Sequence, residues 1–161
     1  MEALRIITEE HQNLWRIATT LDMVADEIDG GGKVEAPFFA SVFDYIDQFM
    51  DRAHHAKEDE FLFRLLRERS PEAGAILDRL QAEHRNGPEN LRDLRAKLAS
   101  TAAGGENNAS FTAALRNYTQ GMRSHVRSEE KDAMPLAREV LTAADWAEID
   151  RAFLDNEDPL F

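Results

Sequence analysis

Four short strings in this chain carry donor atoms at chemically useful spacings: Glu10-His11, His54-x-x-x-Glu58, Glu83-His84 and His125-x-x-x-Glu129. A histidine and a glutamate four residues apart share one face of a helix, so each such pair can present an imidazole nitrogen and a carboxylate oxygen together. Taken singly, each histidine is most simply a satisfied core residue, and each His/Glu pair a helix contact worth about 0.2–0.5 kcal/mol. Taken together they form an internal repeat. His11 and His54 are 43 residues apart and His84 and His125 are 41 apart, with offsets of 73 and 71 between the two halves. The regularity suggests a helical hairpin doubled within the chain, about 1–70 and 72–141. Nitrogen and oxygen donors without thiolate suit iron, with manganese or zinc as further options, and two glutamates on facing helices can bridge a pair of ions.

For that chemistry the donors must point inward from elements that meet. Glycine and proline are few, 8 and 5. Most fall at breaks: Gly30-Gly31-Gly32 to Pro37, Ser70-Pro71, and Ser100 to Asn108, with a last break near Thr142. Between the breaks apolar residues recur at helical spacing, and no alternating strand pattern occurs. The spacing predicts four long helices over 2–29, 37–69, 72–99 and 109–140, and a short fifth over 143–154 with Thr142 and Asp145 as a capping-box-like start. Short connections make successive helices antiparallel. The expected fold is all-α, an up-down-up-down four-helix bundle with a short C-terminal fifth helix, in one domain over 1–161.

Each long helix has one histidine on its inward seam. The seams include Leu4, Ile7, His11 and Leu14; Met50, His54, Glu58, Phe61 and Leu65; Leu80, His84, Gly87 and Leu91; and Tyr118, Met122, His125, Glu129 and Ala133. Chance would place a histidine on all four seams under about 1% of the time. At about 1.5 Å of rise per residue, the four histidines and two glutamates fall within about two turns of one another. Two carboxylates buried at matching depth are costly without compensating cations or strong hydrogen bonds, and a divalent ion supplies that compensation.

Other classes drop away. The chain has no cysteine, which removes disulfides, thiolate zinc sites, iron–sulfur clusters and cysteine nucleophiles. It contains neither the His-Glu-x-x-His string of zinc proteases nor the Glu-x-x-His string of ferritin-like diiron proteins. A formal net charge of −12 disfavours nucleic acid and anionic membrane surfaces as partners. No apolar run approaches the roughly 20 residues of a membrane span. The start, MEALRIITEEHQ, is amphipathic and acidic, unlike a secretion signal, so a cytoplasmic location is expected.

With these residues in hand, the chain resembles the hemerythrin-like family, the HHE cation-binding domain with its H…HxxxE…H…HxxxE signature. The resemblance runs through TEEHQNL, HHAKEDEFLF, AEHRNGPENL, HVRSEEKDAMPLA and the DPLF tail. It implies a four-helix bundle around two non-haem iron ions, oxo- or hydroxo-bridged, with His11, His54, Glu58, His84, His125 and Glu129 as ligands and the two glutamates bridging. Two departures from invertebrate hemerythrins stand out. Those proteins have a further histidine one turn along the third helix, where this chain has Pro88, and end on HxxxxD where this chain has HxxxE.

Three more positions bear on the site. Pro88 sits four residues beyond His84, so its ring clashes with the His84 carbonyl; either a kink follows, or Gly87-Pro88 ends one helix and starts another. His55 lies about 100° round the helix from His54, on the flank of Gln48, Arg52, Asp59 and Leu62. That suits a surface or outer-sphere group, whereas the resemblance implies a ligand, as in relatives that use the residue after this histidine. With His55 bound, two six-coordinate irons keep about one open position, and without it about two. Tyr118 could hydrogen-bond a bound ligand, with Met50 and Met122 as an apolar wall; a plain core role is the simpler reading for all three, as it is for Trp15.

Three functions fit. One is a cytoplasmic protein that binds O2 or NO, or senses iron or oxygen, at a diferrous centre. Another is a diiron enzyme acting on peroxide or NO. Repeated turnover needs electrons, and the sequence carries no flavin motif or cysteine cluster to supply them, so it would take a separate reductase or a dismutation that needs none. The third is a metal-free helical interaction module.

Overall fold

A computed structural model of the chain describes residues 1–105 and 107–154, and among these every regular element is helical. The DPLF segment lies outside the described residues. Helix α1 is Glu2–Asp29. It closes at Gly30 and Gly31, the latter at φ +100°, a left-handed conformation that a side chain would strain. Helix α2 spans 36–69 and alternates α segments (Ala36–Tyr45, His55–Lys57, Arg64–Arg69) with wider π turns (Ile46–His54, Glu58–Phe63). After a 3-10 turn at Pro71–Ala73 comes α3, Gly74–Ala102. Helix α4 spans 108–140: Asn108–Ser128, a π turn at Glu129–Ala133, then Met134–Val140. Its start is capped by the Asn107 side chain, which accepts from Ser110 N–H at 2.8 Å. Helix α5 is Ala143–Leu154.

All five expected stretches occur, with ends displaced by no more than three residues. The Thr142/Asp145 capping box forms reciprocally. Asp145 accepts from Thr142 N–H at 2.9 Å, and Asp145 N–H donates to the Thr142 hydroxyl at 3.2 Å. Pro88 does not end a helix, because α3 runs unbroken through it. Gly87 is needed for another reason: a Cβ there would lie 2.7 Å from Asp51 Oδ1, so its absence lets α3 approach α2 closely.

The π turns explain two displaced residues. Ile46, Met50, His54, Glu58 and Leu62 recur every four residues, and in an α-helix each such step overshoots a full turn by about 40°. Turns closed by i→i+5 hydrogen bonds undershoot and keep the row facing inward. In consequence Leu62 and Phe63 are buried and Phe61 is only partly so, the reverse of the simple helical seam.

Two apolar cores flank a polar layer. One gathers Ile6 and Ile7, Leu62, Phe63, Leu65 and Leu66, Leu77, Leu80, Met134 and, from α5, Trp146, Ile149 and Phe153. The other gathers Leu14, Leu21, Phe39, Phe43, Leu91, Leu94, Phe111 and Leu115. Burying each large apolar side chain contributes about 1.5–3 kcal/mol, so the two cores hold the helices rigidly on both sides of the layer between. Helix α5 is tied to the start of α1, where Asp150 accepts from Ala3 N–H at 2.8 Å. Trp15 is not core: it is partly exposed beneath the guanidinium groups of Arg123 and Arg127. Among the described residues no helix is long and apolar enough to cross a membrane.

Candidate metal centre

The polar layer is built by four helices. α1 contributes His11, α2 His54, His55 and Glu58, α3 His84, and α4 His125 and Glu129. Every residue expected at the site is therefore brought to one place. His11 Nε2 lies 3.2 Å from Glu129 Oε2 and 3.7 Å from Glu58 Oε1. His54 Nε2 is 3.4 Å from Glu58 Oε1, and His125 Nε2 is 3.1 Å from Glu129 Oε1. His84 Nε2 reaches both glutamates, at 3.7 Å and 3.5 Å. Three groupings could hold a cation: His11, His54 and Glu58; Glu58, His84, His125 and Glu129; and His55, His84 and His125.

The donor atoms face one another without partners. His11 Nε2, His54 Nε2 and all four carboxylate oxygens of Glu58 and Glu129 are buried with no hydrogen bond. Ionised groups in that state cost several kcal/mol each, and imidazole lone pairs add to the cost. The His84 and His125 Nε2 atoms approach to 3.0 Å. Because both rings give their Nδ1 protons elsewhere, two lone pairs meet there and repel unless a cation or a proton lies between them. Such a set of inward nitrogens and oxygens fits metal ions.

What fixes the rings is a cycle of outer carboxylates. Four of the five histidines donate Nδ1–H to a residue on the preceding helix, with α4 serving α1; His55 does not. His54 donates to Glu10 at 2.6 Å, His84 to Asp59 at 2.9 Å, His125 to Glu83 at 2.7 Å and His11 to Glu130 at 3.3 Å. This aims Nε2 of these four rings at the centre, where a lone pair is available whenever that nitrogen gives up its proton, and it raises the basicity of that nitrogen. These four carboxylates were missed as site residues. A signal was present: Glu10 and Glu83 each precede a histidine, Asp59 and Glu130 each follow a glutamate, and the offsets are again 73 and 71.

The electrostatics divide the rings. Burial pushes His54 down to about 3 and His55 down to about 4. Burial also opposes charge on His84, but the Asp59 carboxylate that accepts its Nδ1–H and the Glu129 carboxylate facing Nε2 carry it up to about 10. His11 is raised well above the ordinary value despite burial, because Glu129, Glu130 and Glu58 surround it. Burial likewise opposes ionisation of Glu129, yet His125 and its neighbours hold it well below the usual carboxylate range. Protons and metal ions compete for these same lone pairs.

His55 does not lie on an outer flank. Its ring stacks on His84 with centroids 4.1 Å apart, and its Nδ1 is 3.3 Å from Asp51 Oδ1. The π turns on either side of 55–57 rotate it inward and bury Leu62, which the simple helical wheel had placed on the same flank. Tyr118, Met50 and Met122 line a cleft of about 650 Å³ that ends at His55, His84 and His125. Burial first, and Asp51 second, raise the Tyr118 phenol above its ordinary value, so it stays a donor.

No curated protein and no solved structure matches the chain significantly. The family model of the hemerythrin HHE cation-binding domain matches residues 2–137, which include every donor described above. The chain belongs to the hemerythrin HHE cation-binding domain family.

Proposed function

We propose that the chain is a non-haem diiron protein that binds a small ligand such as O2 or NO, or responds to oxygen or iron, in the cytoplasm. Its fold in this reading is an up-down-up-down four-helix bundle built from a doubled hairpin and closed by α5. The observation that carries the reading is the set of buried imidazole and carboxylate atoms with no partner but one another. His11 and His54 would hold one ion and His84, His125 and His55 the other, with Glu58 and Glu129 shared. A bound iron pair supplies redox change and an open coordination position. The chain's residues do the rest: the outer carboxylates hold the rings, the two apolar cores limit water, and Tyr118 offers a proton beside the cleft. A metal-free module would leave the glutamate oxygens buried and unpaired at a cost of several kcal/mol.

Exposure of the reduced, iron-loaded protein to O2 tests the reading. A spectral change that reverses on removing O2 supports ligand binding; failure of the protein to take up iron overturns the reading. A second reading, an enzyme acting on peroxide or NO, is favoured by the open cleft, which exceeds what a diatomic needs. Consumption of repeated peroxide additions, with a separate reductase or by dismutation, would support it over carriage.

A further inference from the structure

The two halves of the centre are walled differently. Offsets of 73 and 71 residues relate the histidines, and the same offsets pair Leu14 with Gly87 and Met50 with Gly121. In the first half the positions next to the histidines carry large side chains, both buried. In the second half both are glycine. At Gly121 an added Cβ would meet nothing within 4 Å. Gly87 instead lets α3 close on Asp51, so Gly121 is the position that leaves room, and it borders a cleft of about 650 Å³, within the range of pockets that hold organic molecules and far beyond the needs of a diatomic.

The lining of the cleft specifies a chemistry. Its floor is apolar, with Leu14, Ile46, Met50 and Leu94 all buried, and it ends at the imidazoles. Exposed carboxamides and a hydroxyl, among them Asn90, Asn117, Gln120 and Ser124, form the rim. Asp51 supplies the decisive group. Its side chain is only 3% exposed, it lines the cleft, and its Oδ2 has no hydrogen-bond partner. A buried carboxylate oxygen without a partner calls for a donor. Together with Glu83 and Asp93 it sets three carboxylates in the lining against Lys97, a balance that disfavours anions.

We propose that this cleft is a binding site for a compact neutral molecule with an apolar body and one hydroxyl, such as a phenol, an alcohol or an organic hydroperoxide. The hydroxyl donates to Asp51 and the body lies on the Met50 and Leu94 floor, at the His84/His125 side of the centre. That the molecule meets a metal there rests on the function proposed above; that the cleft takes it does not.

The test uses phenol and benzoate, which share a ring and differ in charge at neutral pH, titrated into the metal-loaded full chain by calorimetry. Amide chemical shifts of Gly87, Asn90 and Tyr118 are followed in the same samples. Phenol is expected to saturate and to move these amides, with benzoate at least tenfold weaker. Gly121→Phe, which adds bulk in open space at a helical position where glycine is already unfavourable, is expected to fold and to weaken phenol at least tenfold. Asp51→Asn removes the charge and is expected to shrink the preference for phenol over benzoate several-fold. Absence of phenol binding at 10 mM, benzoate binding as tightly as phenol, or unchanged phenol affinity in Gly121→Phe would each overturn the proposal. Metal content is measured alongside. Full metal with no phenol binding defeats this inference alone, and phenol binding without metal defeats only the diiron reading.

Discussion

The His11/His54 half and the His84/His125 half of the centre repeat one set of histidines and clamps, with His55 added on the second side, yet they face different surroundings. The His11 and His54 side chains are each 1% exposed, and Phe153 from α5 packs perpendicular to His54 at a centroid distance of 6.5 Å. On the other side His125 is 10% exposed and borders the cleft. Glu10, which holds His54, is itself buried, while Glu83, which holds His125, reaches solvent. The contrast teaches that ligand strength and ligand access are set by separate residues. The donors and their carboxylate clamps repeat, and Gly121, where a Cβ would meet nothing within 4 Å, marks the side that opens.

The largest expected effect acts on both halves at once. A cation that binds only the folded state at about a thousand times its Kd stabilises by about 4 kcal/mol. Chelation should therefore lower Tm by roughly 8–16 °C for a chain of this size. An unchanged Tm on chelation would remove the energetic basis of the comparison.

Separating the halves comes next. His54→Ala and Glu129→Ala are both expected to lose iron, read by elemental analysis, because each removes an inward donor from a buried set. His55→Ala should lose less than either, since His84, His125 and both glutamates remain beside it.

The clamps sharpen the contrast further. Glu10→Ala is expected to weaken metal binding about 10- to 100-fold, because no water can replace a buried acceptor there. Glu83→Ala should cost several-fold less, since solvent can take the His125 proton. Equal losses in competition titrations would show that burial of the clamp does not matter.

The smallest effect lies outside the centre. Asp145 caps α5 and accepts two hydrogen bonds from Arg69. Its carboxyl lies well below the usual range, chiefly because of Arg69 and then the Thr142 backbone N–H. A group whose folded pKa is depressed stabilises above its unfolded pKa of about 3.9 and loses that contribution as pH falls. Asp145→Asn should lower stability by about 1 kcal/mol near pH 7, with a smaller difference in strong acid and no change in metal content.

Much of this was legible in the sequence. The glycine and proline breaks, with the Thr142/Asp145 box, fixed the helix ends to within three residues because each acts locally on the backbone. The inward histidines followed from their seam positions. The π turns were not read, although the runs of four, Ile46 to Leu62 and Tyr118, Met122 then Glu129, Ala133, Ala137, already strained an α-helical wheel. Missing them misplaced Phe61 and left His55 divided between an outer flank and a ligand role. The carboxylate cycle escaped notice because each member acts across a helix pair. The cleft was hidden because an absent side chain at Gly121 means nothing until the facing helix is known.

The central claim is that inward imidazoles and carboxylates hold a pair of cations, and metal counting tests it most directly. Purified full-length chain, loaded anaerobically with ferrous iron and freed of excess, is measured for iron and protein together. About two irons per chain are predicted, falling in both His54→Ala and Glu129→Ala. A wild-type chain without stoichiometric iron, or both variants retaining the full pair, would contradict the account.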